Sequence, residues 1–285
     1  MFGFFKKKEE KQEPAPAAVG EEYGEELKTL GAKFRPEEMS ILAVTGANGF
    51  GGRRVREDGP WIATLELTAW KEEDGEEPAR REKALLVALA GDKLLAYLRR
   101  RAMPDSIIQV TVRPSEDRTS FLMTELPQPV MDPELKAILD EQKKPDSTYV
   151  EGLGTFVLNR QVGWYQADVD WLGQSIQLVY DRGSEEEMKS AQQTALALLG
   201  AREDWDGRAR TYAAQQLPVQ HPGLEDEMLE VPAEELARRL EPESLQVWPD
   251  GSFEFWFHDA DYQWEHALRV CGTVAGGPEH VYLEG

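Results

Sequence analysis

Short segments in the first half of the chain are apolar or alternate between apolar and polar positions, which is typical of buried and half-buried β-strands. They lie at residues 61–70, 82–90, 106–114 and 119–126. In WIATLELTAW (61–70), one side carries Ile62, Thr64, Glu66 and Thr68. The apolar side, with one slip in the alternation, is supplied by Trp61, Ala63, Leu65, Leu67 and Trp70. The pattern predicts a strand-rich region from about residue 40 to residue 126.

One helical stripe interrupts these strands at residues 92–102. Leu94, Leu95 and Leu98 share a face, Asp92 is placed as its N-cap, and a proline ends it. Strands, one helix and two further strands follow the order of a small five-stranded barrel of the oligonucleotide/oligosaccharide-binding (OB) type. We therefore expect an OB-like domain over 40–126, after a disordered tail and a short helix within residues 1–39.

A proline-rich segment at residues 127–149 separates this region from the second half of the chain. Pro127, Pro129 and Pro133 stiffen it, and the sequence DPELKAILDEQKK within it predicts a short helix capped by Asp132. We interpret residues 127–149 as a linker with one helix.

The second half of the chain predicts three strands, three helices and three strands, in that order. The first strands are Thr155–Leu158, Trp164–Trp171 and Ser175–Tyr180, and the helices are 184–200, 203–217 and 232–240. Ser184 and Glu187 form a capping-box pattern at the start of the first helix. The later strands are Leu245–Trp248, Ser252–His258 and one ending near residue 274, with a PDG turn between the first two. This order predicts an α+β domain over residues 150–285, with helices on one face of an antiparallel sheet.

The stretch ILAVTGANGFGGRRV (41–55) resembles a dinucleotide-binding fingerprint, because Gly46, Gly49 and Gly52 have the required spacing. That fingerprint must open a helix, whose N-terminus binds the pyrophosphate. Here a Gly-Pro pair at residues 59–60 would break such a helix within two turns, and the next strand pattern begins at residue 61. NAD(P) binding through residues 46–52 is therefore disfavoured, and we expect the glycines to form a connection or hairpin.

Composition narrows the classes of function. The formal net charge is −21, with 53 acidic and 32 basic residues. A surface of this charge repels nucleic-acid phosphate and anionic lipid. It would attract a basic partner, or it serves only to keep the protein soluble. Cys271 is the only cysteine, so no intramolecular disulfide can form, as expected in a reducing compartment. Phe2, Phe4 and Phe5 precede the first lysines, the reverse of a signal peptide. We expect a cytoplasmic protein without nucleic-acid or integral membrane contact.

The segment FEFWFHDADYQWEH (253–266) holds the candidate functional residues. Phe253, Phe255 and Phe257 form a stripe that we expect in the core, which turns Trp256 to the opposite face. A half-exposed tryptophan rimmed by acids would suit an anchor for a protein partner, and a second core layer under a helix is the alternative interpretation of Trp256. The partner-binding candidates are Trp256, His258, Asp259, Asp261, Glu265 and His266. The same loop is an alternative candidate for a metal site. Neighbouring strand residues such as His258 and Asp259 point to opposite faces, however, so these side chains cannot all converge on one ion. We therefore predict no catalytic, cofactor-binding or metal-binding residues.

The second half also resembles a bacterial family, the domain of unknown function 2262. The resemblance covers about residues 148–283. It depends on Leu153-Gly154, Trp164, the Val-Asp-Trp of 169–171, Ser244, Phe253, the Asp259–Asp261 loop, His266 and Val270-x-Gly272. It implies a fold and a bacterial source, and it implies no activity.

These features favour a non-enzymatic, acidic interaction module that binds a basic protein partner, with an immunity-like role against a basic toxin as one version. The alternative is a hydrolase or a ligand-binding or metal-binding domain that uses the 258–266 loop.

Overall fold

The computed structural model of the protein describes residues 23–54, 56–220, 232–259 and 267–284. The chain divides into two compact units, Met1–Lys144 and Pro145–Gly285. Of the tail and short helix expected within residues 1–39, residues 1–22 lie outside the described part, and the helix is Gly24–Gly31.

The first unit combines short strands with three helices. Its strands are β1 (Met39–Thr45), β2 (Gly51–Arg54), β3 (Trp61–Glu72), β4 (Ala84–Ala90), β5 (Ile107–Pro114), β6 (Ser120–Met123) and β7 (Gln128–Pro129). Its helices are α1 (Gly24–Gly31), α2 (Asp92–Arg101) and α3 (Pro133–Gln142). The helix α2 begins after Gly91, so Asp92 is its first residue and not its N-cap.

Five of these strands close into a barrel in the order β1-β3-β4-β6-β5, because β5 returns to pair with β1. The strands β4 and β6 are parallel, and the other neighbours in the barrel are antiparallel. The alternating side chains of the strands fill the interior together with Leu94, Leu95 and Leu98 of α2. The expected five-stranded barrel is confirmed.

The slip in the alternation of β3 marks an irregularity in the barrel wall. Leu65 and Leu67 point into the barrel core, and the pairing register with β1 then shifts between Val44 and Thr45. After the shift, Ala69 faces outward against α3 while Trp70 returns to the barrel core. The helix α3, predicted within the linker and capped by Asp132 as expected, packs on this outer surface.

The second unit is one sheet with three helices. Its strands are β8 (Ser147–Val150), β9 (Gly154–Asn159), β10 (Trp164–Trp171), β11 (Gln174–Asp181), β12 (Leu240–Val247), β13 (Ser252–Asp259), β14 (Ala267–Thr273) and β15 (Gly277–Glu284). Its helices are α4 (Glu185–Gly200), α5 (Arg202–Gln220) and α6 (Ala233–Arg239). The capping box of Ser184 and Glu187 at α4 is confirmed.

The sheet corrects two details of the prediction. Its eight strands lie in the order β15-β14-β13-β12-β11-β10-β9-β8, so four described strands, and not three, stand on each side of the helices. It is mixed rather than purely antiparallel, since β11 and β12 pair in parallel. The helical segment between these strands carries the chain back to the end at which β11 began, and parallel pairing requires such a crossover.

One face of the sheet and the three helices share a single core. Phe253, Phe255 and Phe257 lie in it at no more than 1% exposure, as expected for the stripe, together with buried residues of α4, α5 and α6. The strand side chains that alternate away from this core form the opposite face. None of the described helices of this unit packs on it, and we name it the helix-free face.

Candidate functional site

The helix-free face carries the predicted aromatic anchor. Along β13, Glu254, Trp256 and His258 alternate with the buried phenylalanines and are each half-buried. Trp256 is paired in register with Ser244 of β12 and Arg269 of β14. The expectation that Trp256 is partly exposed on the second face is confirmed.

Arg269 is the centre of a compact cluster on this face. Its guanidinium lies 5.5 Å from the Trp256 ring centroid and 4.6 Å from that of Tyr282 on β15. It forms ion pairs with Glu254 at 2.9 Å and with Glu284 at 2.6 Å. Two aromatic rings and two carboxylates thus fix one cation in place, and we name Glu254, Trp256, Arg269, Tyr282 and Glu284 the arginine cluster.

The cluster is only partly shielded from solvent. The side chains of Arg269 and Glu254 are 25% and 19% exposed, and Tyr282 is 39% exposed. The Nε atom of Arg269 is buried and has no hydrogen-bond partner among the described residues. Burial alone lowers the pKa of Arg269, but Glu254 and the other neighbouring acidic groups outweigh it and raise that pKa.

Cys271 lies beside the cluster and is unsuited to nucleophilic chemistry. Its Sγ is 3.5 Å from an Oε1 atom of Glu254. Burial first, and the adjacent carboxylate next, raise the pKa of the thiol to about 12. A catalytic cysteine needs the opposite shift, because the thiolate is the nucleophile.

The structure brings together two of the six predicted partner-binding residues. His258 lies on the same face as Trp256, with its Nε2 3.4 Å from Glu241 of β12. The backbone of Asp259 ends β13, in register with Leu240. Asp261, Glu265 and His266 lie outside the described residues, so their roles and the metal alternative for this loop stay predictions. Within the described residues, no three His, Cys, Asp or Glu side chains are grouped as metal ligands.

Arg269 and Tyr282 were missed by the sequence analysis, although their strands alternate. In β14, Leu268 and Val270 are buried while Arg269 and Cys271 face away from the core, and in β15 Val281 is buried beside Tyr282. Alternation in the sequence HVYL (280–283) was the available signal, but the segment follows two glycines and a proline and was not assigned as a strand.

The helix-free face is strongly acidic. Among its described strand residues, Arg269 is the one lysine or arginine. Carboxylates on the same face include Asp168, Asp170, Asp181, Glu241, Glu254 and Glu284. The whole second unit has 26 acidic and 9 basic residues, a net −17, whereas the first has 27 acidic and 23 basic, a net −4. Most of the negative charge therefore belongs to the unit that carries the arginine cluster.

The glycine-rich stretch of the first unit does not open a helix. The strand β1 ends at Thr45, and the Gly46 amide donates to the Glu66 carbonyl of β3 at 2.8 Å. Gly51 and Gly52 then begin β2, which pairs antiparallel with β3. The segment is a connection followed by an edge strand, so it lacks the helix N-terminus that a dinucleotide pyrophosphate would require.

Family comparisons match both units. Residues 26–142 match a family model described as a domain of unknown function (DUF7021). Residues 150–283 match one described as an uncharacterized protein conserved in bacteria (DUF2262), which confirms the resemblance of the second half. Searches of curated proteins and of solved structures each find no match to the chain. None of the described helices is long and apolar enough to cross a membrane.

Proposed function

We propose that the protein is a non-catalytic interaction module whose second unit binds a basic protein partner on the helix-free face. The observation that carries this proposal is the arginine cluster. Tryptophan, tyrosine and arginine are the residue types that most often dominate binding energy at protein interfaces. Here Arg269 lies against the rings of both Trp256 and Tyr282, and all three are partly exposed on the side of the sheet opposite the helices of this unit.

Charge complementarity selects the partner. Arg269 is already neutralised by Glu254 and Glu284, so the remaining carboxylates of the face leave it acidic. A positively charged surface would be attracted over a range of about 10 Å at moderate ionic strength. The rings of the arginine cluster would then supply the apolar contact, and the remaining carboxylates of the face would orient the partner. An immunity-like role, in which the partner is a basic toxin, is one version of this proposal.

Two finer proposals accompany it. We infer that the barrel is of the OB type, since α2 lies between its third and fourth strands and its third and fifth strands are the parallel pair. We also propose a cytoplasmic location, supported by the single cysteine, which fits a reducing compartment.

The test is affinity capture of the tagged full chain from its source bacterium, with the eluted proteins identified by mass spectrometry and their affinity then measured by calorimetry. We expect a stoichiometric basic partner that moderate salt releases. Trp256→Ala should weaken its binding by about thirtyfold or more, since hot-spot truncations cost about 2 kcal/mol or more. Trp256→Phe, which keeps a ring over Arg269, should recover part of the affinity.

Tyr149→Ala is the matched control. Tyr149 is 73% exposed, and it is on β8, at the opposite edge of the sheet from β15. Tyr149 lies on the same face as the arginine cluster but at its far edge. Wild-type affinity in Trp256→Ala, or an equal loss of affinity in Tyr149→Ala, would therefore refute the assignment of binding to the arginine cluster. Thermal unfolding of each variant separates lost binding from lost folding.

A further inference from the structure

The first unit carries a second charged surface, of the opposite sign. All four residues of β2, including Arg53 and Arg54, are exposed. Arg99 and Arg101 at the end of α2 are exposed as well. The Nε atom of Arg99 donates to the Phe50 carbonyl at 3.0 Å, which holds the end of α2 against the start of β2. We name Arg53, Arg54, Arg99 and Arg101 the arginine edge.

The strand beneath these arginines has an available edge. Within the described part of the chain, β2 pairs with β3 alone. An edge strand presents backbone donors and acceptors that can pair with another extended chain. The strand is short, but an incoming peptide would also meet side chains on both faces, because Arg53 and Arg54 alternate across it.

Gly51 gives a second reason to read β2 as a contact site. Its φ is not positive, and nothing lies within 4 Å of the position that a Cβ atom would take. Neither backbone strain nor packing within the described residues therefore requires a glycine here. Gly51 is the first residue of β2, and a glycine in a strand marks a bulge, a bend or a place where another backbone or a ligand approaches closely. The neighbouring Gly52 differs, since a Cβ there would lie 3.2 Å from the Ile62 carbonyl.

We propose that β2 and the arginine edge form a docking site for an extended acidic peptide, which adds as a further strand alongside β2. Backbone hydrogen bonds would hold the peptide, and the guanidinium groups of Arg53, Arg99 and Arg101 would pair with its carboxylates. Arg54 is already paired with Asp92 at 2.9 Å and adds positive charge beside them. This site is independent of the helix-free face and selects a partner of opposite charge.

The surroundings favour an acidic peptide over a single-stranded nucleic acid. Binding of single strands depends on aromatic rings on which bases stack. The two rings beside the arginine edge already have guanidinium groups over them, with Arg54 4.9 Å from the Trp61 centroid and Arg101 5.5 Å from that of Tyr97. The Trp61 ring is also fixed by a 2.7 Å hydrogen bond from its Nε1 to Asp92.

The test uses the full chain and a fluorescent Glu-Thr repeat peptide, with binding followed by anisotropy at low and moderate ionic strength. We expect binding that salt weakens and that Arg53→Glu/Arg54→Glu reduces by about tenfold or more. The single variant Arg53→Glu, which leaves the Arg54 contact with Asp92 intact, should weaken binding without loss of folding. Lys189→Glu/Arg238→Glu, two exposed cations on α4 and α6, makes the same change in net charge and should leave binding unchanged.

Hydrogen–deuterium exchange then distinguishes strand addition from a purely ionic contact. Bound peptide should slow exchange of amides in residues 51–54. Four results would overturn the proposal: no binding at millimolar peptide, equal weakening by the control variant, no protection of these amides, or tighter binding of an oligothymidylate of matched charge. The last result would assign the arginine edge to nucleic acid instead.

Discussion

Among the described residues of the second unit, the side chain of Asp206 on α5 is predicted to be the most costly buried polar group to remove. It is 8% exposed and accepts hydrogen bonds from Trp171 Nε1 at 3.0 Å and from Arg210 Nε at 2.7 Å. Arg210 also donates to the Leu240 carbonyl. This network joins α5 to β10 on one side of the parallel seam of the sheet and to β12 on the other.

The expected magnitude follows from what Asp206→Ala leaves behind. Removal of one member of a buried ion pair costs about 3–5 kcal/mol. The side chains of Arg210 and Asp206 retain 20% and 12% exposure, which places this pair near the lower limit. The indole N–H of Trp171 loses its acceptor as well, at about 1 kcal/mol. We therefore expect a loss of about 3–4 kcal/mol in the free energy of unfolding, and about 1–2 kcal/mol for Asp206→Asn, which retains an acceptor.

Urea unfolding monitored by tryptophan fluorescence suits this test. Six of the eight tryptophans lie in residues 145–285, so the signal reports mainly on the second unit. A matched control is Asp204→Ala, which removes an exposed carboxylate from the same helix and an ion pair with Arg208 at 3.5 Å. Exposed pairs of this kind contribute about 0–1 kcal/mol.

A double-mutant cycle gives the strictest check. If the carboxylate and guanidinium stabilise each other, Asp206→Ala and Arg210→Met should be less than additive, with a coupling of about 2 kcal/mol. A cost of Asp206→Ala no greater than that of Asp204→Ala, or additive effects in the cycle, would refute the network as a source of stability.

Three further predictions concern single groups. Because burial raises the pKa of the Cys271 thiol to about 12, its alkylation by iodoacetamide at neutral pH should be far slower than that of a free cysteine, as measured by mass spectrometry. Ser184→Ala removes the cap of α4 and should cost about 1 kcal/mol in urea unfolding. Burial of Asp132 acts to raise its pKa, but hydrogen bonds from a backbone amide and from Lys71 outweigh this and lower it. A carboxylate whose pKa is lowered in the folded protein stabilises the fold at pH values above its pKa in the unfolded chain, about 3.9, and this stabilisation is lost as the pH falls through its folded-state pKa. In urea unfolding, Asp132→Asn should therefore be less stable than wild type at pH 7. The two proteins should be equally stable in strong acid.

Local patterns identified most elements of the second unit. The alternation of Phe253, Phe255 and Phe257 was sufficient to place Trp256 on the other face, because successive strand side chains point in opposite directions whatever the partners of the strand. The cap of α4 was equally readable, since Ser184 and Glu187 bond to backbone groups only three residues apart.

The strands that were missed gave weak local signals. The strand β8 has only four residues and overlaps the end of the proline-rich segment, and β15 begins at the second of two consecutive glycines. Each lies at an edge of the sheet, with one strand neighbour, and most of what identifies it is pairing with β9 or β14. That information resides in the partner strand and not in the segment itself.

The sequence by itself determined the strand periodicity, the caps of α3 and α4, the acidic balance and the resemblance of the second half to the DUF2262 family. Only the tertiary structure decided the closure of the barrel through β1 and β5, the parallel pairing of β11 with β12, and the meeting of Trp256, Arg269 and Tyr282. The physical reason is the distance along the chain over which the determining interactions act. Periodicity and capping are set by steric and hydrogen-bonding effects within a few residues, whereas the arginine cluster requires three strands in one exact register, and a shift of one residue would turn Arg269 into the core.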